Sequence, residues 1–340
     1  MSKLLFLSVW AGAFLHPVLV ANNPNAARPR PAKDIYLQGK SVHVEQIFAM
    51  PYRLIKAGSY LIVYDMKGEH LFHVYALQKP LTYLYSFGHT GQGPDEFTLP
   101  VVLTNTAMQT DLVVLDLARA RLRRFALQKD TYQQTADFDI NTVGLSINTA
   151  VLTGDKLWAA GILWQGRFIA IDLRSGQHTY LPFIPKLTQD EPGIVYQVEM
   201  TADENYVYSA ARFFKRIDKI NIAKKTYEKP LVDEVDFDLK KFGGPLNEKI
   251  FGTMVYYQDI YVTDRYLYAL YFGTTDNKML DHQPTVQVFD KHSGEQLYNL
   301  HLDRPVSRIV VDDEQKILLA IAADSEDEPL VEFDLSTVIK

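Results

Sequence analysis

The chain is predicted to be all-β: a six-bladed β-propeller closed by an N-terminal strand in the last blade. Three observations lead there. One apolar strand pattern recurs six times, as Tyr60-Leu-Ile-Val-Tyr-Asp65, Asp111-Leu-Val-Val-Leu-Asp116, Lys156-Leu-Trp-Ala-Ala-Gly161, Tyr206-Val-Tyr-Ser-Ala-Ala211, Tyr266-Leu-Tyr-Ala-Leu-Tyr271 and Lys316-Ile-Leu-Leu-Ala-Ile321. The starts lie 51, 45, 50, 60 and 50 residues apart, the period of a four-stranded blade. The apolar runs between them are too short and too regularly broken for helices.

From the N-terminus, Lys3 precedes the uncharged apolar stretch 4–15, and Leu19-Val20-Ala21 offers a small residue for cleavage. Residues 1–21 therefore read as an export signal, with a retained membrane anchor as the rival. His16-Pro17 interrupts the stretch, which is short for a span. Residues 22–34 hold Pro24, Pro29 and Pro31 with Arg28 and Arg30, a solvated linker. Residues 35–340 are assigned to a single propeller domain.

Within each unit a second landmark follows the first: His73-Val-Tyr-Ala76, Arg123-Arg-Phe-Ala126, Ile169-Ala-Ile-Asp172, Asp218-Lys-Ile-Asn221, Gln287-Val-Phe-Asp290 and Val331-Glu-Phe-Asp334. Ala-Leu-Gln-Lys occurs at 76–79 and again at 126–129, a mark of duplication. A short strand precedes each first landmark (52–55, 101–104, 149–152, 198–201, 260–263 and 308–311). An outer strand follows the second landmark, as at 82–87, 177–181 and 296–300. Four strands with tight links make an antiparallel meander. The last unit stops after its third strand, so the N-terminal region must supply the fourth. Residues 35–37 and 42–48 are the candidates, and 42–47 is the expected closing strand. The fifth unit is oversized, with its surplus at 235–256 and 273–284, where functional loops are expected.

Composition excludes several classes. With 35 basic and 41 acidic residues the net charge is −6, and no basic stripe suggests nucleic acid. Cysteine is absent, which removes disulfides, thiolate metal sites and a lipid-bearing cysteine. No nucleophile elbow, His-Glu-x-x-His or EF-hand loop occurs. His70 and His73 are three apart on a predicted strand, on opposite faces, and so do not share a metal. Asp233, Glu234, Asp236 and Asp238 form an acidic run, expected to be a solvated loop edge. No cofactor and no metal are expected.

The segment Phe87-Gly-His-Thr-Gly-Gln-Gly-Pro-Asp-Glu-Phe97 carries a family likeness. It resembles the Gly-x-Gly-Pro-x-Glu-Phe signature between the first and second blades of TolB-like six-bladed propellers, envelope proteins of Bacteroides-type bacteria. The resemblance covers roughly residues 34–340, rests on Gly91, Gly93, Pro94, Glu96 and Phe97, and implies a fold more than a chemistry. Many relatives resemble lipoproteins, from which this chain departs by lacking cysteine. The residues themselves suit a link between blades. Gly91 and Gly93 are expected to permit positive φ, Pro94 to stop strand pairing, Glu96 to accept backbone amides and Phe97 to tuck between blades. A phosphate-cradling loop would need a helix afterwards, and a strand follows instead.

Candidate ligand contacts lie in or beside the innermost strands, which line a propeller's channel: Arg53, Asn148, Gln197, Glu199, Gln258, Asp259 and Arg308. Two arginines and two carboxylates can neutralise each other as an ion-pair ring, or bind an anionic or sugar-like ligand. Tyr196, Tyr256 and Tyr257 could offer stacking surfaces. The expected function is an exported, non-enzymatic propeller that binds a protein or carbohydrate partner at one mouth of its ring. A monomer in the periplasm or at the cell surface is expected, with membrane contact only through an uncleaved signal segment. The alternative is a channel-centred lactonase, lyase or glycan-active hydrolase, for which Glu199 and Asp259 are the plausible acid–base pair.

Overall fold

Six antiparallel sheets follow one another along the chain. A computed structural model describes residues 31–94, 96–103, 110–141, 145–186, 193–235, 252–325 and 327–339. The signal segment, most of the linker, Asp236, Asp238 and much of the fifth unit's first surplus lie outside those residues.

Blade 1 runs Pro51–Ala57, Tyr60–Asp65, Phe72–Ala76 and Thr82–Phe87, each strand pairing with the next. Blades 2 and 3 repeat this with inner strands Pro100–Val102 and Ser146–Thr153, and blades 4, 5 and 6 with Val198–Ala202, Met254–Val262 and Val306–Asp312. Inner strands of successive blades touch from blade 2 round through blade 6 to blade 1, and the inner strand of blade 1 meets the second strand of blade 2. The ring is closed, and this is a six-bladed propeller.

Blades present apolar side chains on both faces because each sheet is sandwiched between two others. The second strands show this best: Leu61, Ile62 and Val63, or Leu267, Tyr268, Ala269 and Leu270, are fully buried in succession. The core therefore sits between blades. Phe72, Phe87, Phe97 and Phe125 fill the gap between blades 1 and 2. Blade 6 joins blades 5 and 1 in one large cluster. In the sixth repeat the strand register begins at Ile317, opposite Asp334, where Tyr60 stands opposite Ala76 in the first. The alignment read from sequence starts one residue early there.

Closure uses the N-terminal region, but through different residues from those expected. Gly39–Ser41 pairs antiparallel with Leu330–Asp334 and supplies the fourth strand of blade 6. Residues 42–47 are not a strand. Val42 N donates to Leu330 O at 2.8 Å just beyond the strand, and Val42, Val44 and Phe48 pack on the core, which accounts for the apolar alternation that mimics a strand. Gly39 lies flat against its neighbour; a Cβ there would come within 2.6 Å of Val331. Just upstream, Lys33–Leu37 adds a fifth strand to blade 5, parallel to Gln296–Leu302, so strand structure begins inside the stretch read as linker.

The glycine link works as a brace. Glu96 accepts the Gly93 amide at 2.6 Å, and Gly91 N donates to Phe97 O at 3.0 Å. Arg123 donates to Pro94 O and Glu96 O at 3.0 and 2.6 Å, with its guanidinium 3.8 Å over the Phe97 ring. Phe97 is buried between blades, as expected. The role expected for the glycines is corrected: neither Gly91 nor Gly93 has positive φ. A Cβ on Gly91 would stand 2.0 Å from Glu96 Oε2, so a larger residue there would displace that carboxylate from the Gly93 amide. The tight approach of a carboxylate, rather than backbone handedness, selects glycine there.

Candidate functional site

All six inner strands run the same way through the ring, since the blades share one meander topology. The mouth where they begin is called here the entry face, and the mouth where they end the exit face. Links between second and third strands and between blades gather on the entry face.

One side chain per blade occupies a common level near the axis. Arg53 pairs with Tyr64, Val101 with Leu115, Thr149 with Ala160, Glu199 with Ala210, Asp259 with Leu270 and Arg308 with Ile321; each is the partner of its second strand's fifth residue. In blades 1, 3, 5 and 6 the register shifts just before that level, at Arg53, Thr149, Asp259 and Arg308. Bulges of this kind re-aim the following side chain.

The layer is knitted across the axis. Arg53 Nη2 donates to Glu199 Oε2 at 2.8 Å, joining blade 1 to blade 4 on the far side. Arg308 Nη2 stands 3.5 Å from Glu199 Oε1, and Arg53 Nη1 stands 4.0 Å from Asp259 Oδ1. Asp259 Oδ2 accepts Ile309 N at 2.9 Å, and Arg308 Nη1 donates to Gln258 O at 2.9 Å. Arg53, Asp259 and Arg308 are buried, and Glu199 nearly so. Ion pairs thus span the channel at this level.

Their titration reflects that crowding. Burial alone would raise the Glu199 carboxyl, but Arg53 and Arg308 hold it below its ordinary value. For Asp259 burial wins over Arg308 and Arg53, with repulsion from Glu199 added, and its pKa is pushed up to about 6. Between the unfolded value of 3.8 and about 6, folded Asp259 keeps a proton that the unfolded chain has released. Its contribution to stability is complete at the acid end and is lost as pH rises through 6. The stability of the native chain relative to Asp259→Asn is expected to fall by roughly 2 kcal/mol between pH 4 and pH 7. Urea unfolding at both pH values measures this; an unchanged difference would contradict it.

A third guanidinium joins from outside the inner strands. Arg212 follows the second strand of blade 4, its amide donating to Gln197 O at 2.9 Å, and its Nη1 hydrogen-bonds Gln258 Oε1. It makes no ion pair among the described residues. Burial, reinforced by Arg308, lowers its pKa despite Glu199. Asp276 also acts on it, from beyond ion-pair distance.

Residues 32–175, from the N-terminal strand into blade 3, match the family model described as TolB-like 6-blade propeller-like. The chain is a six-bladed propeller whose first blades are similar to the TolB-like family. Two solved structures share the fold. A candidate exported protein of Bacteroides fragilis is 12% identical, with a TM-score of 0.56 over 87% of this chain and 94% of that one. A member of the DUF4221 family from Bacteroides vulgatus is also 12% identical, at 0.54 over 87% and 95%. No curated protein matches the sequence.

Of the site residues read from sequence, the propeller brings Arg53, Glu199, Gln258, Asp259 and Arg308 together. Gln197 contributes a backbone carbonyl to Arg212. Asn148 sits exposed on the bulge of blade 3, outside the ion-pair network. Two expected stacking surfaces are core instead: Tyr257 is fully buried and donates to Gln287 Oε1 at 3.0 Å, and Tyr196 donates to Pro185 O at 3.0 Å. The exposed aromatic at the mouth is Tyr52, which has the Arg308 guanidinium 5.1 Å from its ring centre. Sequence reading missed Arg212 and Tyr52. Tyr52 was legible as the residue before Arg53, whereas nothing local marks Arg212.

A cleft of about 610 Å³ opens on the exit face, between blades 3, 4 and 5. Asp203 at its floor is spoken for, accepting Asn205 N and Tyr206 N at 2.8 Å and facing Lys291 Nζ at 3.2 Å. Glu204, Asn205, Asp264 and His292 stand exposed around it. Elsewhere, His73 bonds Ser86 and His70 meets His89 edge to face, so the two histidines go separate ways. In the acidic run, Asp233 pairs with Arg216, and Glu234 with Lys215 at 2.7 Å.

Proposed function

We propose that this is an exported, non-enzymatic propeller that docks a partner protein on its entry face. The observation that carries this reading is where the exposed large apolar side chains lie. Ile47, Met50, Tyr52, Leu99, Trp164, Met254 and Leu280 all stand on entry-face links or at the starts of inner strands. Among the described residues the other three, Tyr36, Tyr83 and Phe138, are on outer strands, and none is at the exit face. Apolar exposure gathered on one face of a rigid ring suits protein docking. Trp164 is 86% exposed, a side chain of the kind that anchors interfaces. The channel's ion pairs support the same reading, because Glu199 and Asp259 are held by arginines and backbone amides rather than poised as an acid–base pair. Export rests on the apolar N-terminal stretch.

A photo-crosslinking residue placed at Trp164 or Met254, in cells expressing the full chain, is expected to give a discrete protein adduct, while one at Glu204 gives none. Adducts confined to Glu204, or absent everywhere, would contradict the assignment. A second reading, a sugar held in the exit-face cleft, is favoured by its volume and its exposed acceptors. A glycan and peptidoglycan-fragment screen read by thermal shift tests it, with stabilisation lost in Asp264→Ala as the expected sign.

A further inference from the structure

Resting on that docking reading, we infer that the entry-face mouth recognises a carboxylate carried by the partner protein, with Arg212 as its principal contact. Arg212 is half-buried, is anchored by Gln258 Oε1 and Met279 Sδ, and has no acidic partner among the described residues. Glu199, already shared by Arg53 and Arg308, and Asp276 act on it only from beyond ion-pair distance. A desolvated guanidinium without a counter-ion gains strongly from an incoming anion.

Buried donors beside it are also idle. Arg53 Nη1 and Arg308 Nε make no hydrogen bond, although their residues are only 5% and 4% exposed. Native interiors rarely leave such donors unmet, so they mark where an acceptor belongs. A carboxylate is the anion that a protein partner carries on its own side chains, and it pairs with a guanidinium through charge-assisted hydrogen bonds. The surroundings select a protein carrier: Met50, Tyr52 and Met254 flank the inner strands at the same mouth and are exposed. An acidic glycan would leave those apolar surfaces against sugar hydroxyls.

The test uses two blocked tripeptides, Leu-Glu-Leu and Leu-Gln-Leu, titrated calorimetrically into the full chain. The glutamate peptide is expected to bind about tenfold more tightly than the glutamine peptide or better. That preference should vanish in Arg212→Met and return in part in Arg212→Lys, which also serves if the Met variant does not fold. Equal binding of the two peptides, no binding of either, or a preference that survives in Arg212→Met overturns the inference. So does binding of galacturonate or inorganic phosphate with the glutamate peptide inert. Crosslinking from Trp164 separates the two ideas. Full adduct yield in Arg212→Met removes the carboxylate contact and leaves docking intact, whereas no adduct in the native chain removes docking itself.

Discussion

Replacing Asp218 by alanine is expected to destabilise the protein by roughly 3–5 kcal/mol, because it strands buried arginine charge. Asp218 is fully buried in blade 4 and accepts Arg167 Nη1 at 2.7 Å and Arg216 Nε at 2.5 Å. Arg167 has no other acidic partner among the described residues. Its Nε and Nη2 find no acceptor, and the rings of Phe168, Phe214 and Tyr196 lie 5.1, 5.2 and 5.9 Å from its guanidinium. Those π-faces offset part of its desolvation but cannot replace a carboxylate. The reciprocal change should be milder. Arg167→Met leaves Asp218 with Arg216 and Ser209, so its cost should be smaller by about 1 kcal/mol or more. Urea midpoints of the two variants measure the asymmetry, and equal costs would refute the account of this pair.

Removing the N-terminal strands is expected to have an effect of similar size. A chain starting at Val42 lacks both Gly39–Ser41 and Lys33–Leu37, baring the edges of Leu330–Asp334 and Gln296–Leu302. It also loses the burial of Leu37, worth about 2 kcal/mol alone, and the stacking of Tyr36 on His301 at 4.8 Å. Bare strand edges recruit other chains. The truncated protein should melt much earlier, by an amount on the order of 5 kcal/mol in stability, and elute as higher oligomers. A chain starting at Pro31 should match the full chain by both measures. Identical melting of the Val42 and Pro31 chains would show that closure does not depend on this region.

The architecture was legible because every blade must bury both faces of its second strand, which imprints the same apolar run six times. Closure was legible only as a necessity. Gly39-Lys-Ser carries no apolar alternation, being an edge strand chosen for fit against Val331, whereas Val42 and Val44 alternate because both pack against the core. The charged residues of the central layer could be listed from the inner strands, and five of the seven candidates do converge. Their partners could not be read, because Arg53 and Glu199 are 146 residues apart and meet only once the ring closes. Arg212 was invisible for a related reason. It follows a second strand and reaches the mouth only through the blade 4 turn, and no local pattern records that. The glycine link was legible in purpose and misread in cause, since close approach of Glu96 leaves no trace in residue type beyond glycine itself.

The claim on which the rest depends is that six inner strands bring opposite charges together across the axis. A double-mutant cycle on Arg53→Met and Glu199→Gln, read by chemical unfolding, tests it most directly, since only a closed ring places blades 1 and 4 in contact there. A coupling energy of about 1 kcal/mol or more is expected. Additivity within about 0.5 kcal/mol would mean that the two side chains do not meet, and the charged mouth would go with them.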